Sequence, residues 1–405
     1  MRLDTDEMTA TERFLTTIDH EEPDRVPMHL MGVPPYSRTF QEWLAREEEL
    51  MDEWTEDDYN VLITPLGDFT LRYFLGSELE TWGVGIATGF APLALDDDGR
   101  PVDDLSVAAE LLKRPEGRQV DYFGRVNGWR YLEGGHRYAW YVDGFLKTKQ
   151  DVLDWYEEHG WPHEKPVNKL DVEALVETRR RFGDRACFVP QIGNCQLYES
   201  SWPVMGQSRW ALYSRKDPEF VKRVIESRKL AQLKILDEIA RLKPHVDVVF
   251  GGDDMGQKGR PMFSPAWFEK FLAEPFAEIF EKVHEELGAK VFIHSCGNMV
   301  ELLPQLVECG LDGWQSLEPA SEIDFPALKR KFGDHLFFVG ALDSSREACF
   351  GNSNSIRKHV AKQLRTLGPG GGYVAGPAHD YLNVPLENAL ALRDAVLELG
   401  RYPLS

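Results

Sequence analysis

Ala289-Lys290-Val291-Phe292-Ile293-His294-Ser295-Cys296-Gly297-Asn298-Met299-Val300-Glu301 reads as a buried strand running straight into a helix. The apolar run at 289–293 has strand length. Asn298 to Glu301 has the spacing of a capping box, which predicts a helix over Val300–Cys309. A strand followed at once by a helix is one unit of a parallel sheet.

The same unit recurs on both sides. Strands are predicted at Cys187–Ile192, Val246–Phe250, Leu311–Ser316, Leu336–Leu342 and Tyr373–Ala375. Helices are predicted at Pro218–Leu242, from Ser264-Pro265 to about Leu287, and at Phe325–Phe332, Ser355–Leu367 and Leu386–Leu399. These strands are apolar throughout instead of alternating, so both sheet faces are buried. At least six such units fit a closed (β/α)8 TIM barrel better than an open doubly wound sheet. No Gly-x-Gly-x-x-Gly follows the first strand, which weakens a dinucleotide-binding reading.

Nearer the N-terminus a helix is predicted at Thr9–Asp19, a strand at Val26–Met31 and a second strand at Tyr59–Thr64. Residues 65–150 break the alternation. They are rich in Gly, Asp and aromatics, as in Asp121-Tyr122-Phe123-Gly124 and Tyr138-Ala139-Trp140-Tyr141. The expected architecture is one α/β domain over 1–405. It is a TIM barrel with an N-terminal helical segment and an antiparallel β insertion at about 65–150, lying over one barrel end.

The 405 residues carry a net charge of −21. That argues against binding a nucleic-acid backbone or an anionic membrane, since both need a basic face. The start, Met1-Arg2-Leu3-Asp4-Thr5-Asp6-Glu7, lacks the apolar core of a signal peptide, and no apolar run reaches membrane-spanning length. The five cysteines are odd in number and scattered, as expected of reduced thiols in a cytoplasmic enzyme.

In barrels of this kind chemistry sits at the C-terminal strand ends. Those ends read His29, then Gly193-Asn194-Cys195, Asp253-Asp254, His294 with Cys296, Gln315 to Glu318, Asp343, and His379-Asp380. Gathering imidazoles, carboxylates and a thiol there is costly unless they are used, so an enzyme is expected. His294 and Cys296 are two apart on a strand and face one spot, and a neutral imidazole with a thiolate suits zinc. A helix N-terminus just beyond Cys296 would favour the thiolate. The same spacing also fits a hydrogen-bonded histidine beside an inert cysteine. Asp253 and Asp254 are candidates for acid–base work, or for capping a loop through backbone bonds. His29, Gln315 and Glu318 are the expected substrate contacts.

Several stretches together resemble the uroporphyrinogen decarboxylase superfamily. They are Thr11-Glu12-Arg13-Phe14 with Glu22-Pro23-Asp24-Arg25-Val26-Pro27, then Gly252-Asp253-Asp254, then His294-Ser295-Cys296-Gly297-Asn298. Gly340-Ala341-Leu342-Asp343, Gly370-Gly371-Gly372-Tyr373 and Pro385-Leu386-Glu387-Asn388 complete the pattern. The resemblance implies a (β/α)8 barrel with a deep C-terminal cleft. True decarboxylases carry an arginine-bearing segment after the first strand. Here that place holds Met28-His29-Leu30-Met31-Gly32-Val33-Pro34, so the carboxylates of a porphyrinogen would go unpaired.

The resemblance is closer to the zinc-dependent, corrinoid-linked methyltransferase branch, through His294-x-Cys296. Members that methylate thiols draw a third ligand, a cysteine, from the loop after the last strand. This chain has Ala378-His379-Asp380 there, and His379 is the substitute. The resemblance thus implies zinc on His294, Cys296 and His379, and a partner protein carrying a corrinoid (cobalamin). It implies methyl transfer from a methoxylated small molecule, that is O-demethylation, or transfer to a thiol, with Asp253 or Asp254 serving the leaving oxygen. It also suggests a homodimer. Metal-independent decarboxylation of another carboxylated substrate, or a non-catalytic binding barrel, are the alternative readings.

Overall fold

The computed structural model describes residues 3, 5–50, 69–86, 93–121, 123–131, 137–182, 185–193, 196–242 and 246–404. Seven strands form one parallel sheet. In order they are Leu79–Val84, Cys187–Ile192, Val248–Gly252, Lys290–His294, Gly313–Leu317, Phe337–Leu342 and Tyr373–Pro377. Spatial order follows chain order, so each crossover returns to the neighbouring strand.

The extended segment 26–31 joins the two sheet edges. His29 N donates to Ala375 O and Ala375 N to Pro27 O, each at 2.9 Å; on the other side Glu78 N donates to Met28 O at 2.8 Å. This segment stands where the eighth barrel strand belongs. Pro27 has no N–H to give, which interrupts its ladder. The fold is the expected α/β TIM-type barrel.

One strand differs from expectation. The predicted Tyr59–Thr64 lies outside the described residues. The barrel strand at this place is Leu79–Val84, within the stretch read as insertion, and it pairs in parallel with Cys187–Ile192. Its sequence hides it, because Glu80 is fully buried yet sits on the strand. Arg72, on helix Phe69–Phe74, pairs with Glu80 at 2.5 Å, which makes that burial tolerable.

Alternate residues of the strands point inward. Leu79, Cys187, Val189, Val248, Phe250, Phe292, Phe337, Val339 and Val374 make one buried cluster with Phe14 and Ile18 of helix Ala10–Ile18. The helix therefore plugs the N-terminal mouth, with Phe14 edge-on to Phe337 at 6.4 Å between ring centroids. Thr9 and Glu12 close a capping box that starts this helix. A buried ion cluster fixes the plug. Arg13 holds Asp24 through two bonds of 2.6 and 2.8 Å and also meets Glu78. Arg25 bridges Glu78 and Asp6 at 2.7 to 3.0 Å.

The antiparallel sheet runs Pro101–Val102, Leu93–Leu95, Arg118–Val120, Arg125–Tyr131, Arg137–Gly144. It docks on the loop that follows strand Cys187–Ile192, at the C-terminal end of the barrel. Leu146 N donates to Val204 O at 2.9 Å, Arg209 grips Asp143 at 2.8 Å, and Tyr141 packs edge-on against Trp202.

Candidate metal centre

Strand Lys290–His294 ends with His294 turned inward, and its next inward position is Cys296. Ser295 faces the other way and pins the turn. Its Oγ accepts from Met255 N at 3.0 Å, and its carbonyl accepts from Trp314 Nε1 at 3.0 Å. Gly297 has φ 77°, and a Cβ there would lie 2.4 Å from Gln257 N. Only glycine lets the two backbones cross that closely.

Three donor atoms converge at this turn, with a carboxylate beside two of the residues that carry them. His294 Nε2 is 3.1 Å from Cys296 Sγ, and His379 Nε2 approaches the same sulfur to 2.6 Å. The donor atoms of these three residues all lie within 4.8 Å of one another. Asp254 Oδ1 is 3.3 Å from His294 Nε2 and accepts the Cys296 amide N–H at 2.8 Å. His294 is buried, whereas His379 is exposed, so the group is reached from the His379 side.

Gln315 lies beside His294 in the ladder. Its Nε2 donates to Ala378 O at 3.4 Å, which turns Oε1 onto His294 Nδ1. The imidazole thus donates from Nδ1 and presents Nε2 to the cluster. An outer carbonyl of this kind is the usual partner of a metal-binding histidine. Ser316, the next residue, sits in a bulge at φ 87° and brings its Oγ to 3.8 Å from Cys296 Sγ. Left-handed backbone at a non-glycine residue costs about 1–3 kcal/mol and concentrates at functional sites.

The charges follow from this packing. Burial pulls His294 down, but the Cys296 sulfur and Asp254 carboxylate beside it raise its pKa well above the ordinary value. Burial would raise Cys296, yet His294 and His379 lower it. The thiolate is favoured by two imidazoles; the helix beyond begins as a single 3-10 turn, Val300–Leu302, and has little dipole to offer. Burial also opposes the Asp254 charge, and His294 and the Cys296 amide overcome it, holding Asp254 at about 2.

The other expected site residues fall in different places. Asp253 is buried, and its two oxygens accept from Tyr198 N at 2.8 Å and Glu199 N at 2.7 Å. It caps the loop onto which the antiparallel sheet docks. Burial pushes its pKa up to about 8 against those two donors. His29 is buried in the barrel and bonds through Nδ1 to Leu79 O at 2.8 Å; burial drives its pKa down to about 4, so it is neutral. Glu318 accepts from Ser321 Oγ at 2.5 Å in the turn after strand Gly313–Leu317. Asn194 and Cys195 lie outside the described residues.

Glu199 is a site residue the sequence reading passed over. Its side chain accepts from the Asp254 amide, and burial together with the neighbouring Asp254 charge raises its pKa. Arg125 of the antiparallel sheet and His294 act on it in the opposite sense. No local motif marks Glu199. The one available signal was its place in the loop after strand Cys187–Ile192, at the barrel's C-terminal end.

Residues 203–399 carry a domain that matches the family model described as Uroporphyrinogen decarboxylase (URO-D). The matched span holds Asp253, Asp254, His294, Cys296 and His379, and begins beyond Glu199. In three dimensions the chain is similar to a methyltransferase from Methanosarcina mazei, with TM-score 0.59 and 18% identity, over 97% of this chain and 99% of that one. At that identity the likeness shows the fold alone. Similarity to a β-glycosidase from the hyperthermophile Thermosphaera aggregans is looser, at TM-score 0.41 and 12% identity over 95% and 96% of the two chains. No curated protein matches the chain in sequence.

Proposed function

We propose that this chain is a zinc-dependent methyltransferase that moves a methyl group from a methoxylated small molecule to a corrinoid carried by a partner protein. The observation that carries the reading is the cluster of His294 Nε2, Cys296 Sγ and His379 Nε2, with Gln315 taking the Nδ1 proton of His294. Two imidazole nitrogens and one thiolate are a donor set that suits zinc. Gln315 supplies the outer-sphere partner such a site needs. Bound there, zinc would supply Lewis acidity toward a substrate oxygen.

A histidine at 379 in place of a second thiolate leaves less negative charge on the site and makes it harder, which favours an oxygen substrate over a thiol. Methoxy cleavage breaks the methyl–oxygen bond. The methyl carbon goes to reduced cobalt of the corrinoid, and the bonding pair stays on oxygen. That oxygen then needs a proton. Glu199, whose pKa is raised by burial and the Asp254 charge, is the carboxyl group assigned to supply it. Asp253 keeps the Tyr198–Glu199 loop in place through two amide bonds. His29, fixed by Leu79 O, offers a neutral ring for substrate contact within the barrel.

Elemental mass spectrometry of protein purified without added metal, beside Cys296→Ala, tests the centre first. About one zinc per chain in the parent and none in the variant is the expected result. The zinc protein is then given methoxylated compounds and reduced cobalamin, and methylcobalamin formation is followed. No metal uptake after zinc reconstitution would overturn the reading.

A further inference from the structure

Arg228 is a buried charge held only by neutral groups. It lies on the long helix Pro218–Ala240, and 1% of it is exposed. Among the described residues its partners are two neutral oxygens, both on Nη2: the Tyr156 hydroxyl at 3.0 Å and the Ser200 carbonyl at 2.9 Å. Nε and Nη1 are buried without a hydrogen-bond partner. A guanidinium in this state is costly, and an apolar side chain of similar volume would fill the place at lower cost.

What the charge reaches is the residue after Glu199. Asp253 takes the amides on the near side of Glu199, from Tyr198 N at 2.8 Å and Glu199 N at 2.7 Å. Arg228 takes the Ser200 carbonyl on the far side. The backbone is thus held on both sides of the Glu199 Cα, by an acceptor from the strand end and a donor from the helix. Within that hold Ser201 Oγ donates to Leu197 O at 2.6 Å and closes the turn. Tyr156, stacked on Trp161 with ring centroids 4.6 Å apart, steadies the guanidinium from the other side. A planar guanidinium presents its donors in fixed directions, so it places a carbonyl more sharply than an ammonium would.

We infer that Arg228 is a positioning residue, whose bond to the Ser200 carbonyl sets the place of the Glu199 carboxyl group. This rests on the reading above that Glu199 supplies the proton to the leaving oxygen. The cost of burying the charge is then explained by the site and not by the fold. An apolar side chain would fill the space, but the Ser200 carbonyl would lose its donor and Glu199 its hold on one side. A group that transfers a proton has to stay within about 0.5 Å of its productive place. The effect therefore falls on turnover and not on substrate or metal binding.

A double-mutant cycle on the full chain tests it, with reduced cobalamin as methyl acceptor and a methoxylated compound as donor. Arg228→Met keeps the length of the side chain and loses its charge and donors. It should lower kcat at least about tenfold, with KM within about threefold of the parent and the zinc content unchanged. In a Glu199→Gln background the same substitution should cost less than about threefold, because the group it positions is already gone. A residue that only supports the fold lowers the rate by equal factors in both backgrounds. Circular dichroism checks folding. Where Arg228→Met does not fold, Arg228→Lys carries the same cycle, since its ammonium keeps the charge but ends short of Nη2 and lacks the planar fork. Equal factors in the two backgrounds, loss of zinc along with the rate, or a kcat unchanged from the parent overturns the inference. A parent that transfers no methyl group, or a Glu199→Gln variant as fast as the parent, overturns the Glu199 reading and this inference with it, so the two failures are told apart.

Discussion

Gln315 accepts from Nδ1 of His294 across two paired strands, and the same side chain reaches Ala378, the residue before His379. One amide thus sets the orientation of a first donor and touches the loop that carries another. Gln315→Leu should weaken zinc binding by about 10–100-fold with little loss of thermal stability. Gln315→Glu, which keeps the acceptor, should bind zinc at least as tightly as the parent. Chelator competition measures both, and equal affinities for Leu and Glu would refute an orienting role.

Glu199→Gln should leave zinc affinity within a fewfold and lower methyl transfer by about 10²–10⁴-fold. The parent rate should fall as pH rises through the raised Glu199 pKa, because the carboxyl must be protonated to donate. Glu199→Gln should lose that limb of the pH profile. A profile unchanged in the variant would move the proton to another group.

Gly32→Ala places a Cβ 2.6 Å from Asp380 Oδ1, beside His379. The Asp380 carboxylate must turn away, which disturbs the residue next to His379. Zinc affinity should fall several-fold while stability drops by only about 1 kcal/mol. Gly83→Ala, whose Cβ would meet nothing within 4 Å, is the control. Equal effects of the two substitutions on zinc binding would rule out this coupling.

Acid should loosen the plug. Burial would raise the Asp24 pKa, but Arg13 and two backbone amides hold it at about 2 against an ordinary 3.8. A carboxylate depressed in the folded state contributes stability above its unfolded pKa and loses it as pH falls through the folded one. The window is therefore about pH 4 down to 2, and the contribution about 2 kcal/mol. Asp24→Asn should be destabilised by that amount at pH 7 and show a flatter dependence below pH 4. Chemical denaturation at several pH values decides it.

The sequence was most readable where strands are uniformly apolar. From Cys187 onward apolar runs and capped helices name the barrel units, and the two-residue step from His294 to Cys296 already implies a shared direction. Leu79–Val84 escaped because Glu80 breaks the apolar run, and the Arg72 that neutralises it lies on another element. The two aspartates show a different limit. Asp253-Asp254 reads as two equivalent carboxylates, and only the strand pairing decides which faces the sulfur and which caps a loop. Glu199 carries no local mark at all; its environment is made by Asp254, Arg125 and His294, far away in sequence.

Segment 26–31 bonds on one side to strand Tyr373–Pro377 and on the other to Glu78, and Val26 N also donates to Gly400 O at 2.9 Å. During synthesis the ring of strands therefore stays open until strand Tyr373–Pro377 has emerged, about 340 residues after segment 26–31. Phe14 and Ile18 wait without their housing, since Phe337, Val339 and Val374 arrive last. Such long-range closure makes folding slow and leaves bare sheet edges exposed to other nascent chains. It also brings the two chain ends together, with Arg401 3.5 Å from Asp6. Joining them and cutting instead within an exposed turn such as Asp96–Arg100 would move the late closure from segment 26–31 to strand Leu79–Val84, which would then be made last and must find Cys187–Ile192, made first.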